Sequence, residues 1–220
     1  MNKRLKGTPS LKLHYGPYYQ GLKVITSYGP LIENYLAAGK IVIDRYLSQY
    51  SRVCAIRVDL HVPEELELKS NRHITRFMGS LDAQIEADRN RKHKAGSRSY
   101  RCRPNYIWCS ERENARANHF HVIILLNKDA YHTLGNYEAT GNNMASRIVK
   151  AWASALGLDF DDVGGLVHFP KNPIHYVNIH SKRLAEEYNE LFFRFSYFAK
   201  PKSKHYGDRR RSFDCSRTTR

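Results

Sequence analysis

The sequence predicts an α+β protein of ferredoxin-like plan, an antiparallel four-stranded sheet with two helices on one face. Three observations carry this. Between residues 52 and 169 the apolar periodicity runs in the order β-α-β-β-α-β, the split βαβ arrangement. The 220 residues are 41% hydrophobic and 12% aromatic, which suits one domain-sized core and excludes global disorder. No internal repeat and no long linker calls for a second core. One helix precedes this unit and another follows it. The expected organisation is an arm and helix over 1–50, the main domain over 51–200 and a basic tail over 201–220.

Residues 1–28, rich in Gly, Pro and Tyr, read as an irregular arm. Pro30 can open a helix, and Leu31, Tyr35, Val42 and Tyr46 recur at helical spacing as far as Gln49, with Gly39 a weak point. Arg52–Val62 alternates Ile56, Val58, Leu60 and Val62 and stops at Pro63, a strand. Asn71–Lys92 is a helix with Ile74, Phe77, Leu81 and Ile85 as its apolar stripe, followed by a basic Gly/Ser loop. Tyr106–Arg112 and His119–Leu126 form a hairpin across a polar turn. Asn142–Leu156 is a helix ended by Gly157, Gly165–Phe169 a short strand, and Lys182–Lys200 a last helix whose stripe is Leu184, Tyr188, Leu191 and Phe195. Beyond Pro201 the chain reads as a loose basic tail.

The net charge is +15, and it is unevenly spread. Residues 1–32 hold five basic side chains and no acid, and residues 89–103 hold seven and no acid. Residues 194–220 hold nine against Asp208 and Asp214, so the remaining 146 residues are slightly acidic. Three basic blocks on an acidic body point to a nucleic-acid partner. Arg98, Arg101, Arg103, Lys202, Lys204, Arg209 and Arg210 are the expected phosphate contacts, with Tyr100, Tyr106 and Trp108 near the middle block as stacking candidates. The middle block runs into the strand that ends at Glu111, so two of the blocks are expected to flank one centre. The longest apolar run, Val122–Leu126, is too short for a membrane span, and the basic start lacks the apolar core of a secretory signal. Four cysteines without a CxxC pair read as reduced thiols, so a cytoplasmic protein is expected.

Three motifs carry chemistry. His119 and His121 share one face of a strand, so their imidazoles can converge on a divalent metal while Phe120 turns into the packing. Glu111, across the hairpin, can add a carboxylate; Glu113 and Asp59 are the other candidates for that place. Two imidazoles and a carboxylate suit Mg²⁺ or Mn²⁺ in phosphoryl chemistry, and equally Zn²⁺. Tyr197 and Lys200 lie three apart at the end of the last helix, a phenol beside an ammonium. A metal that polarises a phosphate and a cation-stabilised phenolate are the parts of a transesterifying DNA nickase.

With these residues in view, the chain resembles the HUH endonucleases, named for His-hydrophobe-His. The stretches IRVDLHVP, WCSERENARANHFHVIILLNKDAY and FFRFSYFAKPKSKHYG are more narrowly similar to the inovirus replication-protein-like family, which includes YagK/YfjJ-type C-terminal domains. The resemblance spans about residues 50–217. It implies a rolling-circle replication initiator that nicks a single-stranded or hairpin DNA origin. Tyr197 would be the nucleophile and Lys200 the lysine of its motif. His119 and His121 match the metal motif, and Glu111 matches the third ligand by spacing. A host helicase and polymerase are the further partners it implies, and Tyr188 is the one other tyrosine at hand in the last helix. A single-tyrosine transposase has the same order of motifs.

Two readings compete with this one: a non-catalytic DNA-binding protein descended from such a nuclease, and an RNA-binding platform, for which no RNP1 pattern is apparent. A zinc site from Cys102, Cys109, His119 and His121 fits no finger spacing. His168, His175 and His180 read as ordinary polar or packing histidines, and Asp161–Gly165 as a turn.

Overall fold

The computed structural model describes residues 3–66, 70–112, 118–136, 141–204, 206 and 210–217. The arm contributes β1 (Arg4–Leu5), β2 (Thr8–His14), β3 (Tyr18–Tyr19), β4 (Leu22–Lys23) and β5 (Leu31–Ile32). Then follow α1 (Glu33–Gln49), β6 (Arg52–His61), α2 (Arg72–Lys94), β7 (Asn105–Arg112), β8 (Asn118–Asn127) and α3 (Met144–Leu156). The chain ends in β9 (Val167–His168), β10 (Ile174–Asn178), α4 (Leu184–Ser196) and β11 (Phe213–Cys215). The protein is therefore α+β, with four α-helices and antiparallel sheets among the described residues.

The main sheet has the order β10-β6-β8-β7-β11, with β9 also pairing β6, and every pairing is antiparallel. Residues of α2 and α3 pack on one face with Ile56, Val58, Leu60, Val122 and Ile124. Residues of α1 and α4 pack on the other with Val53, Ala55, Ile107, Ile123 and Leu125. The continuous apolar run Val122–Leu126 now has its cause: a strand covered on both faces has no polar side to alternate with. The sequence places α2 and α3 on one face; the fold adds that the flanking helices close the opposite face.

Several expectations are corrected. The arm is not irregular: β2 joins β1 and β5, and β3–β4 is a hairpin whose turn puts Gln20 and Gly21 at φ 49° and 79°. A non-glycine residue at positive φ is uncommon, so the turn was not legible. Pro30 does not start the helix, because Leu31 and Ile32 first pair with His14 and Leu13. Between the expected strand and the last helix, residues 174–178 form a further strand, β10, whose register sets Ile174 opposite Ile56. The tail is not loose where described. Phe213, Asp214 and Cys215 pair with Cys109, Trp108 and Ile107, making the tail the last strand of the sheet.

Gly39 is no weak point. A Cβ on it would lie 2.0 Å from Cζ of Phe195, so its bare backbone is what lets α4 settle against α1. That seat sets the height of the residues just after α4. On the other face Asp88, 3% exposed, ties α2 to α3. Its carboxylate takes Arg147 at 2.9 Å, Lys92 at 2.9 Å, the Tyr131 hydroxyl at 2.8 Å, and Arg91. Burial raises its pKa, but the bonds from Lys92 and Tyr131 and the Arg147 charge outweigh this and hold it below the usual value. Asp88→Ala strands the buried Arg147 and is expected to cost about 3 kcal/mol in urea unfolding at pH 7. Because the native pKa is depressed, the contribution is complete above the unfolded value, roughly 3.9, and is lost as pH falls through the native one. The deficit of the variant relative to the wild type should therefore shrink below about pH 4.

Candidate active site

The polar residues of the α1/α4 face sit at one end of three strands. On β6 the inward positions change from Val53 and Ala55 to Arg57 and Asp59, and on β7 from Ile107 and Cys109 to Glu111. On β8 they change from Ile123 and Leu125 back to His121 and His119. The register aligns them in two rows: Asp59, His121 and Cys109 in one, His61, His119 and Glu111 in the next. Phe120 points to the opposite face, 1% exposed and edge-on to Trp108 and Trp152.

Glu111, His119 and His121 bring their donor atoms within 4.8 Å of one another. The two Nε2 atoms are 3.2 Å apart, and Glu111 Oε2 lies 3.5 Å from that of His121 and 3.9 Å from that of His119. Adjacent ligands of a small divalent ion stand roughly 3 Å apart, so the set could close on one with small movements. Asp59 is not beside this set but behind it: its Oδ1 is 2.7 Å from Nδ1 of His121. A proton held there leaves Nε2 with its lone pair toward Glu111 and His119, the outer bond that orients a ligating imidazole. Burial, then the charge of His121, brings His119 down to about 4, which keeps it neutral near pH 7. Burial also opposes charge on His121, but the bonds to Asp59 and Glu111 prevail and raise its pKa. Of the three candidates for the carboxylate, Glu111 is in place and Asp59 acts through His121. Glu113 lies outside the described residues, as does Arg209 among the expected phosphate contacts.

Tyr197 is not in the last α-helix. That helix stops at Ser196, and Tyr197–Ala199 forms a 3₁₀ turn closed by Lys200 N to Tyr197 O at 3.2 Å. In such a turn residues three apart eclipse, which stacks Lys200 on Tyr197. Lys200 Nζ donates to the Tyr197 hydroxyl at 2.5 Å and lies 2.9 Å from Glu111 Oε2. The phenol ring meets the His121 ring edge to face at 5.3 Å. Tyrosine, lysine, carboxylate and imidazole thus form one connected cluster. Burial raises the Tyr197 pKa above 10.0, and the Lys200 bond pulls it part of the way back.

Four further side chains belong here and carried no motif. Arg57 lies over the Tyr197 ring at 5.0 Å and 3.4 Å from His121 Nδ1. Tyr28, from the arm, meets Tyr197 edge-on at 5.3 Å and sits 5.0 Å from Lys200 Nζ. His61 stacks on His119 at 5.5 Å. Ser203 donates to Glu111 Oε2 at 3.0 Å. The polar positions 57, 59 and 61 inside an apolar strand were the one available signal, since each breaks the pattern on the same side.

The expected phosphate contacts divide. Lys204 is buried and 3.4 Å from Glu111 Oε1, part of the cluster and not an exposed tail residue. Lys202 is exposed close by, and Arg210 is half-buried beside β7. Arg98, Arg101 and Arg103 are exposed at the other end of β7, the end remote from Glu111, with Arg98 stacked on Tyr100 at 4.9 Å. The middle block therefore does not flank the cluster as expected: joining β7 in sequence is different from lying at its Glu111 end. Tyr188 bonds Asp44 at 2.6 Å, which ties it to α1. Cys102 accepts from Asn127 N at the far end of β8 and so cannot join His119 and His121. Cys54, Cys102, Cys109 and Cys215 are free thiols. Among the described residues no helix is long and apolar enough to cross a membrane.

Comparison with known proteins places the chain in a family. The YagK/YfjJ C-terminal domain profile matches residues 16–216, and the chain belongs to that family. It is similar to the uncharacterized protein YagK of Escherichia coli (strain K12), 39% identical over 178 residues, 77% of this chain and 85% of the relative. It is also similar to the uncharacterized protein YfjJ of the same organism, 33% identical over 205 residues, 87% of this chain and 98% of the relative. No solved structure matches it.

Proposed function

We propose that the protein is an HUH-type DNA nickase of the replication-initiator kind, a cytoplasmic enzyme that cuts single-stranded or hairpin DNA through a 5′-phosphotyrosine. One observation carries the reading: the Tyr197 ring packs edge to face on His121, and its hydroxyl bonds Lys200, which also bonds Glu111 of the Glu111–His119–His121 set. The strand order β10-β6-β8-β7, with α2 and α3 on one face, supports a ferredoxin-like plan for the scaffold.

Glu111, His119 and His121 would hold Mg²⁺ or Mn²⁺, which when bound polarises the scissile phosphate. Asp59 holds His121 in the orienting tautomer. Tyr197 passes its proton to solvent water and its oxygen bonds to phosphorus. The P–O3′ bond breaks, and the departing oxygen takes up a proton from solvent water to become a free 3′-hydroxyl. Lys200 and Arg57 place positive charge beside the phenolate and the phosphate. The assay is incubation with single-stranded oligonucleotides carrying hairpins, with Mn²⁺ or Mg²⁺ and with chelator. A metal-dependent protein–DNA adduct that peptide mapping places on Tyr197 is the expected result. An adduct on another residue, or none across an origin library, would sink the reading.

One observation favours a second reading, a non-catalytic DNA-binding protein. Glu111 is already satisfied by Lys200, Lys204 and Ser203, so the cluster closes without an ion. That reading requires no adduct under any metal and DNA binding that is indifferent to chelator.

A further inference from the structure

A strongly basic concavity of the protein lies away from the tyrosine cluster. Two clefts, of 910 and 610 Å³, run between α2 and the β7–β11 edge and share Thr75, Tyr106, Arg211 and Asp214, so they form one groove. Among the described residues its lining holds eight arginines, no lysine, and two acids, Asp82 and Asp214. Asp214 is already paired with Arg211 at 2.5 Å. Arg72, Arg76, Arg101 and Arg103 are exposed. Four separate parts of the chain supply these groups: α1, α2, the loop before β7, and the tail.

The tail explains how they come together. Ser203 O accepts from Arg112 N, Ser212 O accepts from Ser110 N, β11 pairs with β7, and Ser216 N donates to Tyr106 O. The tail thus follows β7 from the Glu111 end to the far end and carries its arginines along that edge. The near end of the groove, at Trp108, is three residues from Glu111, and the far end, at Asn105, is six. At about 3.3 Å per residue these are roughly 10 and 20 Å along the strand.

We infer that this groove holds the sugar-phosphate backbone of single-stranded DNA at nucleotides away from the one at Tyr197. It rests on the proposed nicking reaction only for what lies at the cluster. Two observations favour phosphates. The arginines suit phosphodiester oxygens, which accept their forked donors pairwise. The half-buried Tyr106 in the floor offers a ring beside the basic track, as stacking on unpaired bases requires. Tyr106 and Trp108 lie on the α2/α3 face of β7, the face opposite Glu111; an acidic peptide would meet the same charge without using the ring.

The test is fluorescence anisotropy with a mixed-sequence 30-nucleotide single strand, without metal, comparing the full chain with Arg72→Ala/Arg76→Ala/Arg101→Ala/Arg103→Ala. Loss of four contacts should weaken binding by at least about 100-fold at 0.1 M salt and flatten the log–log salt slope by about 3. A second variant, Arg101→Glu alone, guards against misfolding of the quadruple one and should weaken binding by about tenfold. Thermal melts check that both variants are folded. Binding within twofold of wild type in folded variants overturns the inference, as does displacement of the strand by a polyglutamate peptide at equal charge concentration. If the wild type binds through these arginines yet forms no adduct, the groove stands and the nickase reading falls. If the wild type cleaves and the folded variants bind normally, the reverse holds.

Discussion

Tyr197→Phe is expected to abolish nicking and the covalent adduct, by at least about 10³-fold, while leaving binding of a 30-nucleotide single strand within twofold. The asymmetry follows from what the substitution removes. Phenylalanine keeps the ring that packs on His121 at 5.3 Å, on Tyr28 at 5.3 Å and under Arg57 at 5.0 Å. It loses only the oxygen that would attack phosphorus and that accepts from Lys200. Lys200 retains Glu111 at 2.9 Å, so no buried charge is stranded. The stability cost should be about 1 kcal/mol, the worth of one hydrogen bond. Gel analysis of the adduct and anisotropy of the same sample read the two effects separately. Adduct that persists in Tyr197→Phe removes Tyr197 from the nucleophile's place.

The second large effect is expected from His119→Ala combined with His121→Ala. Titration with Mn²⁺ should show no saturable binding at concentrations that fill the wild type, and nicking should fall by at least about 10³-fold. Asp59→Asn serves as the graded comparison. It weakens the outer bond to His121 and leaves all three donors present, so metal affinity should fall by roughly 10–100-fold. That ordering, double alanine well below asparagine and asparagine below wild type, distinguishes a metal centre from a polar cluster. If the double variant binds Mn²⁺ and nicks like the wild type, the ligand set is wrong.

Much of the site was legible because its parts follow local rules. The i, i+2 rule for strands puts His119 and His121 on one face whatever else the fold does, and the hairpin brings Glu111 opposite His119. Tyr197 and Lys200 are neighbours in either an α-helix or the 3₁₀ turn actually formed. Asp59 was legible as a carboxylate near the pair but not as the partner of Nδ1, since that depends on β6 lying beside β8 in the register Asp59 to His121. Arg57, Tyr28 and Ser203 were not legible as site residues, and Lys204 was legible as a phosphate contact but not as a partner of Glu111. Each reaches the cluster from a segment whose docking is set by distant contacts. Tyr28 comes with the arm, Arg57 through strand pairing, and Ser203 and Lys204 through the tail's bonds to β7.

By itself the sequence determined the alternating elements between residues 52 and 169, the two-residue spacing of the imidazoles and the uneven distribution of a +15 charge. These depend on periods of two and 3.6 residues, which are properties of the local backbone. Only the tertiary structure decided that α1 and α4 close the second face of the sheet, that Gly39 admits Phe195, and that the tail becomes a strand beside β7. It alone separated Lys204, buried on Glu111, from the arginines of the far groove. The physical reason is the same in each case. A long-range pairing gains its free energy from burial and hydrogen bonds between segments far apart in the chain, and no local period records which segments those are.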